Sequence, residues 1–308
     1  MDNNIKDKML GCLYGQAIGD ALGLGSEFMS KNDVLKFYPN GLTQYDQIIQ
    51  DRHRRRWHPG AWTDDTEMML CILRSFNGER FDITKVAHNF KDWFNDIPLG
   101  IGNNTANVLA FGDYTENPQK AAEIIWNLSR KNSAANGAIM RTSVVGLEKY
   151  GYVEDAIEIC KLTHYDPRCI GSCVIAVEII HNLVWEDKEL SAEEIISIGN
   201  QYDERIKEWV ELAYNGSLND LQLDDSKSMG YTLRTLAAAL WCYFHSQSFE
   251  EGLVDVVNEG GDADTNAAIA CAILGAKDGY KSMPSKLTIG LHNESKFRIY
   301  VENFVKSI

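Results

Sequence analysis

The sequence predicts an all-α protein, and three observations carry that expectation. Only six prolines occur in 308 residues, so few helix interiors are interrupted. No run of alternating β-branched residues reads as a strand. Helix-start signals recur along the chain instead. Taken in order, apolar periodicity and end signals give helices over about 6–24, 31–38, 64–77, 82–96, 103–112, 117–130 and 137–150. Asp82 precedes Ile83-Thr84 as an N-cap, and Pro118 falls one residue into its helix, where its missing N–H is tolerated. The pattern continues over about 152–163, 167–186, 191–214, 229–246, 249–258, 264–278 and 294–307. Ser191 with Glu194 three residues on is a capping box. The stretches 226–246 and 265–276 are apolar nearly all round, which assigns them to the centre of a bundle. No repeat of 20–50 residues recurs, and residues 1–308 read as one domain.

Composition narrows the functional classes. Thirty basic against 44 acidic residues leave a formal net charge of −14, which opposes nucleic acid or an anionic membrane as partner. The longest strongly apolar run, Ala267 to Ala276, is too short to span a bilayer. The first residues, Met1-Asp2-Asn3-Asn4, lack a signal-peptide pattern. Seven cysteines form no CxxC pair and sit in apolar helical surroundings, the usage of reduced thiols in a cytoplasmic protein. Cys160, His164, Cys169 and Cys173 match no familiar zinc spacing and are expected to be structural.

Two acidic helix tips carry the chemistry. Trp62-Thr63-Asp64-Asp65-Thr66 opens one helix, and Gly260-Gly261-Asp262-Ala263-Asp264-Thr265 opens another. One such cluster alone is commonly a cap, because Asp and Thr oxygens accept the orphan N–H groups. Two clusters, each with two carboxylates and a hydroxyl in one turn and an apolar helix behind, are harder to explain that way. Neither stretch contains Lys or Arg to neutralise the acids. Mg²⁺ or Mn²⁺ would do so, since both favour carboxylate, hydroxyl and water oxygens. Four acids and two hydroxyls suit two octahedral ions sharing a carboxylate and a water, at about 3.5–4 Å separation.

The same residues belong to a longer pattern. Gly11-Cys12-Leu13-Tyr14-Gly15-Gln16-Ala17-Ile18-Gly19-Asp20-Ala21-Leu22-Gly23 with Glu27-Phe28, then Thr63-Asp64-Asp65-Thr66, Asn136-Gly137-Ala138-Ile139-Met140-Arg141, Thr163-His164 and Gly260 through Asn266, resemble the ADP-ribosylglycohydrolase family in order and spacing. The likeness covers about 11–280 and is nearest to the bacterial branch that includes the dinitrogenase-reductase-activating enzymes, notably in Glu27-Phe28-Met29-Ser30-Lys31. It implies a compact, mostly orthogonal multi-helix bundle, two divalent cations (Mg²⁺ or Mn²⁺), and hydrolysis of the glycosidic bond between ADP-ribose and a protein side chain. By the family pattern Thr63, Asp64, Asp65, Asp262, Asp264 and Thr265 hold metal, and Glu27 is a mobile carboxylate. Glu27 and Asp65 are the candidate proton carriers. Gly102 and Asn103 resemble a loop over the terminal ribose, Ser133 with Asn136-Gly137 a pyrophosphate cradle, and His164 a ribose or phosphate contact. Tyr231 matches a tyrosine that lies beside the nucleotide in relatives. That match makes 215–227 a rim loop rather than a linker.

Two features leave alternatives open. The resemblance implies an aspartate three residues before Asn103 that suits an arginine guanidinium, but this chain has Gly100 there, so the modified amino acid is not fixed. Arg52, Arg54, Arg55 and Arg56 either meet the modified target or offset the protein's own acids; their place just ahead of the Thr63 motif leans toward the target. A catalytically silent ADP-ribose-binding or structural relative, and a hydrolase of a free ADP-ribose conjugate, are the alternative functions.

Overall fold

The computed structural model describes residues 2–308. Its first half contains α1 (Asn3–Gly23), α2 (Lys31–Phe37), α3 (Asp64–Leu73), α4 (Ile83–Asn95), α5 (Asn103–Leu109), α6 (Pro118–Leu128) and α7 (Tyr152–Lys161). The second half adds α8 (Pro167–His181), α9 (Ala192–Gly199), α10 (Arg205–Asn215), α11 (Thr232–His245), α12 (Phe249–Val257), α13 (Ala263–Asp278), α14 (Ser285–Gly290) and α15 (Glu294–Ser307). Among the described residues there is no strand, only isolated bridges pairing Phe76 with Phe81 and Ala135 with Tyr231. The all-α expectation holds.

The spine is the pair α1 and α13. Residues 11–23 of α1 and 263–276 of α13 are buried without a break, so neither stretch has a solvent face. Gly11, Gly15, Gly19 and Gly23 recur every fourth residue and therefore share one face of α1. A Cβ at these positions would stand 2.1, 2.1, 2.2 and 2.4 Å from the backbone oxygens of Gly275, Cys271, Ala267 and Ala263. Rising numbers on α1 meet falling numbers on α13, so the helices are antiparallel and touch backbone to backbone. Each glycine weakens an isolated helix by roughly 0.5–1 kcal/mol relative to alanine; the close packing it permits offsets that. The consequence for function is positional. The C-terminal end of α1 meets the N-terminal end of α13, so Asp20 and Glu27 arrive beside Asp262 and Asp264.

Around this pair α8, α11 and α12 complete the core. The span Pro167–Glu186, α8 with a π turn at Asn182–Glu186, is long and apolar enough to cross a membrane, but 78% of its most apolar window is buried inside the protein. That burial is what a core helix requires.

Several boundaries differ from the sequence reading. The helix expected over 137–150 is two 3₁₀ turns, Ile139–Arg141 and Ser143–Leu147. Here Thr142 Oγ1 donates to the Ala138 carbonyl (2.6 Å) and Ser143 donates to Gln16 Oε1, while Val144 and Val145 are β-branched, all of which favour a tighter winding. The segment 191–214 divides after Gly199, which packs against Ile206, and restarts where Asp203 Oδ1 accepts from the Arg205 N–H (3.0 Å). The helix begun at 229 starts at Thr232, since Gly230 is left-handed (φ 80°). The short α14 was not expected. The N-caps at Asp82 and Ser191, and Pro118 in the first turn of α6, stand as read.

Candidate active site

Three chain segments build the acid cluster. Beyond α1, Glu27 is buried at the start of a turn in which Phe28 has a left-handed backbone (φ 61°). That turn is bonded to the twin glycines: Phe28 N–H donates to Gly261 O (2.6 Å) and Gly261 N–H donates to Met29 O (2.8 Å). Gly260 and Gly261 are both left-handed (φ 74° and 69°), and a Cβ on Gly261 would fall 1.9 Å from Leu223 O. Only glycine satisfies both demands. The two residues thus aim Asp262 and the first turn of α13 at Glu27.

The third segment is the tip of α3. Asp20, fully buried in α1, accepts four hydrogen bonds from it. Its Oδ1 takes Thr63 N–H and Oγ1 (2.9 Å each), and its Oδ2 takes Thr66 N–H and Oγ1 (3.0 and 2.6 Å). These are the orphan donors of a helix start, satisfied by an acid from another helix. Gln16, one turn earlier, donates to the carbonyls of Asp65 (3.1 Å) and Met140 (3.0 Å). Asn136 bonds Asp262 Oδ2 (2.6 Å) and Thr235 Oγ1 (2.9 Å).

Carboxylate oxygens of Asp20, Asp65 and Asp264 lie within 4.8 Å of one another, and so do those of Glu27, Asp262 and Asp264. The two triads share Asp264. Burial is the main cause that pushes these carboxyls up: Asp20 and Asp64 to about 7, Asp262 to about 6, and Asp65 and Asp264 well above the ordinary range. Mutual repulsion adds to it, from Asp20 onto Asp64 and Asp65, and from Glu27 and Asp65 onto Asp264. Hydrogen bonds from the two threonines pull Asp20 back down.

The cluster forms the floor of a cavity of about 700 Å³. Glu27, Thr63, Asp64, Asp65, Gly102, Asn103, Ser133, Asn136, Gly137, His164, Asp262, Asp264 and Thr265 all line it, so thirteen residues singled out in the sequence meet in one cleft. Tyr231 does not line it. Its ring packs against Trp209 of α10 (centroids 5.8 Å apart) and under the Arg168 guanidinium (5.6 Å). The backbone there supports the cleft wall instead, with Asn136 N–H bonded to Gly230 O (2.9 Å) and Thr232 N–H to Ala134 O (3.0 Å).

On the opposite wall, the fully buried Arg141 donates to Thr163 Oγ1 (2.5 Å), which lies 2.7 Å from His164 Nδ1. Arginine only donates, so the threonine oxygen accepts from it and keeps its own proton and a second lone pair for its other contacts. His164 Nε2 is buried and has no partner among the described residues. Burial and the nearby Arg141 hold this imidazole well below its ordinary pKa, so it lines the cleft as a neutral ring.

Sequence reasoning gave no role to Asp20, Gln16, His53 and Trp57, and named Arg56 only with the rest of the basic loop. A signal existed for Asp20, a lone acid inside the apolar run Ala17–Leu22; none existed for His53. The basic loop divides its labour. Arg54 is buried and donates to the carbonyls of Gly25 (2.7 Å) and Glu27 (2.5 Å), fixing the Glu27 turn, while Arg52 and Arg55 are exposed. Behind the wall of Arg56, Trp57 and Leu99 lies a second cavity of about 670 Å³ that includes Trp62 and Trp93.

The ADP-ribosylglycohydrolase family model matches residues 1–308. The chain is 28% identical over 295 residues to the ADP-ribosyl-[dinitrogen reductase] glycohydrolase of Rhodospirillum rubrum, covering 92% of this chain and 89% of the relative. It is 29% identical over 290 residues to the ADP-ribosylarginine hydrolase Tri1 of Serratia proteamaculans, covering 90% and 73%. A solved structure described as an ADP-ribosylglycohydrolase-related protein complex superposes with a TM-score of 0.76 at 24% identity, over 99% of each chain. A chain with this fold and this convergence of acids, matched along its whole length, belongs to the ADP-ribosylglycohydrolase family and is a glycosidic-bond hydrolase.

Proposed function

We propose that this chain hydrolyses the N- or O-glycosidic bond that joins ADP-ribose to a protein side chain, using two divalent cations, Mg²⁺ or Mn²⁺. The observation that carries the reading is the pair of carboxylate triads sharing Asp264 on the cleft floor. Buried acids this close raise each other's pKa unless a cation balances them. The donors are carboxylates and threonine hydroxyls with no thiol, a hard-ion set. Oδ1 of Asp65 and Oδ1 of Asp264 are buried and unpartnered, which is the condition of ligand atoms awaiting an ion. Thr63, Asp64, Asp65, Asp262, Asp264 and Thr265 would hold the ions. When bound, such ions supply Lewis acidity and lower the pKa of a shared water.

The remaining chemistry falls to the chain. Glu27 and Asp65 carry protons, one taking the proton of the attacking water and the other serving the leaving group, as paired carboxylates do in glycosidases. Asp20 holds the α3 tip so that Asp65 faces Asp264. Nε2 of His164 contacts a ribose or phosphate oxygen, and Gly102, Asn103, Ser133 and Gly137 form the walls along which ADP-ribose lies. Tyr231 supports that wall from behind. Seven buried, unpaired thiols suit a reducing, cytoplasmic setting, and one continuous hydrophobic core suits a single domain over 1–308.

The two relatives are named for ADP-ribosyl-[dinitrogen reductase] and for ADP-ribosylarginine. In this chain a Cβ at position 100 would lie 2.9 Å from Asp64 Oδ1, so a side chain there would displace a candidate ligand. The acceptor residue is therefore assigned by experiment: arginine-, serine- and cysteine-linked ADP-ribosyl peptides are offered with Mn²⁺, with Mg²⁺ and with EDTA, and free ADP-ribose is separated by chromatography. Release from at least one peptide that stops in EDTA is expected. Binding of ADP-ribose with no release from any peptide would overturn the proposal in favour of a silent binding protein.

A further inference from the structure

The loop between α2 and α3 reaches Glu27 through a histidine. His53 Nε2 stands 2.6 Å from Glu27 Oε2, and His53 Nδ1 stands 2.7 Å from Nη2 of Arg56. A guanidinium donates and cannot accept. Nδ1 must therefore present its lone pair, the single imidazole proton must sit on Nε2, and the bond to Glu27 runs from histidine to carboxylate. We propose that His53 is a positioning residue for the hydrolysis: locked by Arg56 as the neutral Nε2–H tautomer, it holds the Glu27 carboxylate against Asp262 and Asp264 with one oxygen engaged and the other without a protein donor.

The surroundings fix the ring as well as its proton. Phe28 and Trp57 flank His53 with ring centroids 5.2 and 5.3 Å away. Arg56 stacks on Trp57 at 4.3 Å and donates to the Leu99 carbonyl at 3.2 Å. A chain of hydrogen bonds thus runs from Leu99, on the loop before Gly102, through Arg56 and His53 to Glu27, and couples two loops of the cleft mouth. A neutral donor also leaves the Glu27 charge whole, where an imidazolium would partly cancel it. Outer partners that orient a reacting group by such a bond typically matter by 10–100-fold.

The proposal rests on the hydrolase reading only in taking Glu27 as a reacting carboxylate, and the tests are chosen to separate the two. Long-range ¹H–¹⁵N correlation on the metal-free protein reads the His53 tautomer without any turnover. A protonated Nε2 with a bare Nδ1 is expected; the Nδ1–H tautomer or an imidazolium at neutral pH overturns the proposal. In turnover, His53→Leu is expected to lower kcat by about 10–100-fold with KM and unfolding temperature close to those of the unaltered protein. His53→Gln, whose amide N–H can replace Nε2–H, restores most of that loss. Equal kcat for His53→Leu and the unaltered protein, or no advantage of Gln over Leu, overturns it. Absence of turnover in the unaltered protein counts against the hydrolase reading, while the tautomer still decides the histidine.

Discussion

Asp264 is the residue on which the two triads converge, and its carboxyl is driven up by burial and by Glu27 and Asp65. Asp264→Asn keeps the shape and removes the charge. Turnover should fall by more than about 100-fold, beyond the range typical of supporting-shell partners. The metal-free variant should also unfold at a higher temperature, because one repelling acid is gone; a gain of about 1 kcal/mol corresponds to a few degrees at this size. Calorimetry in EDTA beside a chromatographic assay in Mn²⁺ checks both, and wild-type turnover would show that Asp264 is no ligand. At this scale the sequence was informative where chemistry is written in the type and spacing of residues. Asp64, Asp65, Asp262 and Asp264 stood out because two acidic helix tips occur in one chain and neither contains Lys or Arg. His53 did not, because its partner stands 26 positions away and its role comes from a tautomer set by Arg56.

Helices were legible to the extent that local signals decided them. Asp82 and Ser191 cap as their side chains dictate, Pro118 opens α6 as its ring allows, and α13 is apolar all round because it is enclosed all round. The segment 139–147 was not legible, since the Ser143 hydroxyl bond to Gln16 and the packing of Gly146 on Ile180 are tertiary facts. The glycine stripe of α1 is the element-scale feature most open to test. In Gly15→Ala the new methyl carbon would meet Cys271 O at 2.1 Å, a backbone atom that no rotamer change can move aside. Overpacking of that kind is worth about 1–3 kcal/mol of destabilisation or more, against a gain of under about 1 kcal/mol in helix propensity. Denaturant midpoints should therefore drop for Gly15→Ala. An unchanged or raised midpoint would mean the two helices stand further apart than described.

The whole molecule carries a pH signature through its acid cluster. Asp20 and Asp64 are raised to about 7 and Asp262 to about 6 in the folded protein, against about 4 for an unfolded aspartate. Between those values the folded state binds more protons than the unfolded one, so the stability these groups contribute is complete below about pH 4 and is lost as pH rises through about 6 to 7. Divalent ions need the deprotonated acids and reverse the effect. The rise in unfolding temperature on adding Mn²⁺ should accordingly be larger at pH 8 than at pH 5.5, as thermal melts with and without EDTA would reveal; equal increments would remove the cluster as an ion site. The helical class and the meeting of the two acidic tips were readable from sequence, because hydrophobic pattern and charge balance act over the whole chain. The antiparallel contact that brings the tips together was not, because glycines every fourth residue do not say which helix they will face. That contact sets backbone on backbone at four successive turns, which leaves little slack to be repacked. Drift toward a new acceptor must then be written in the rim, in residues 51–57, 97–103 and 223–230, while the keel beneath stays untouched from one specificity to the next.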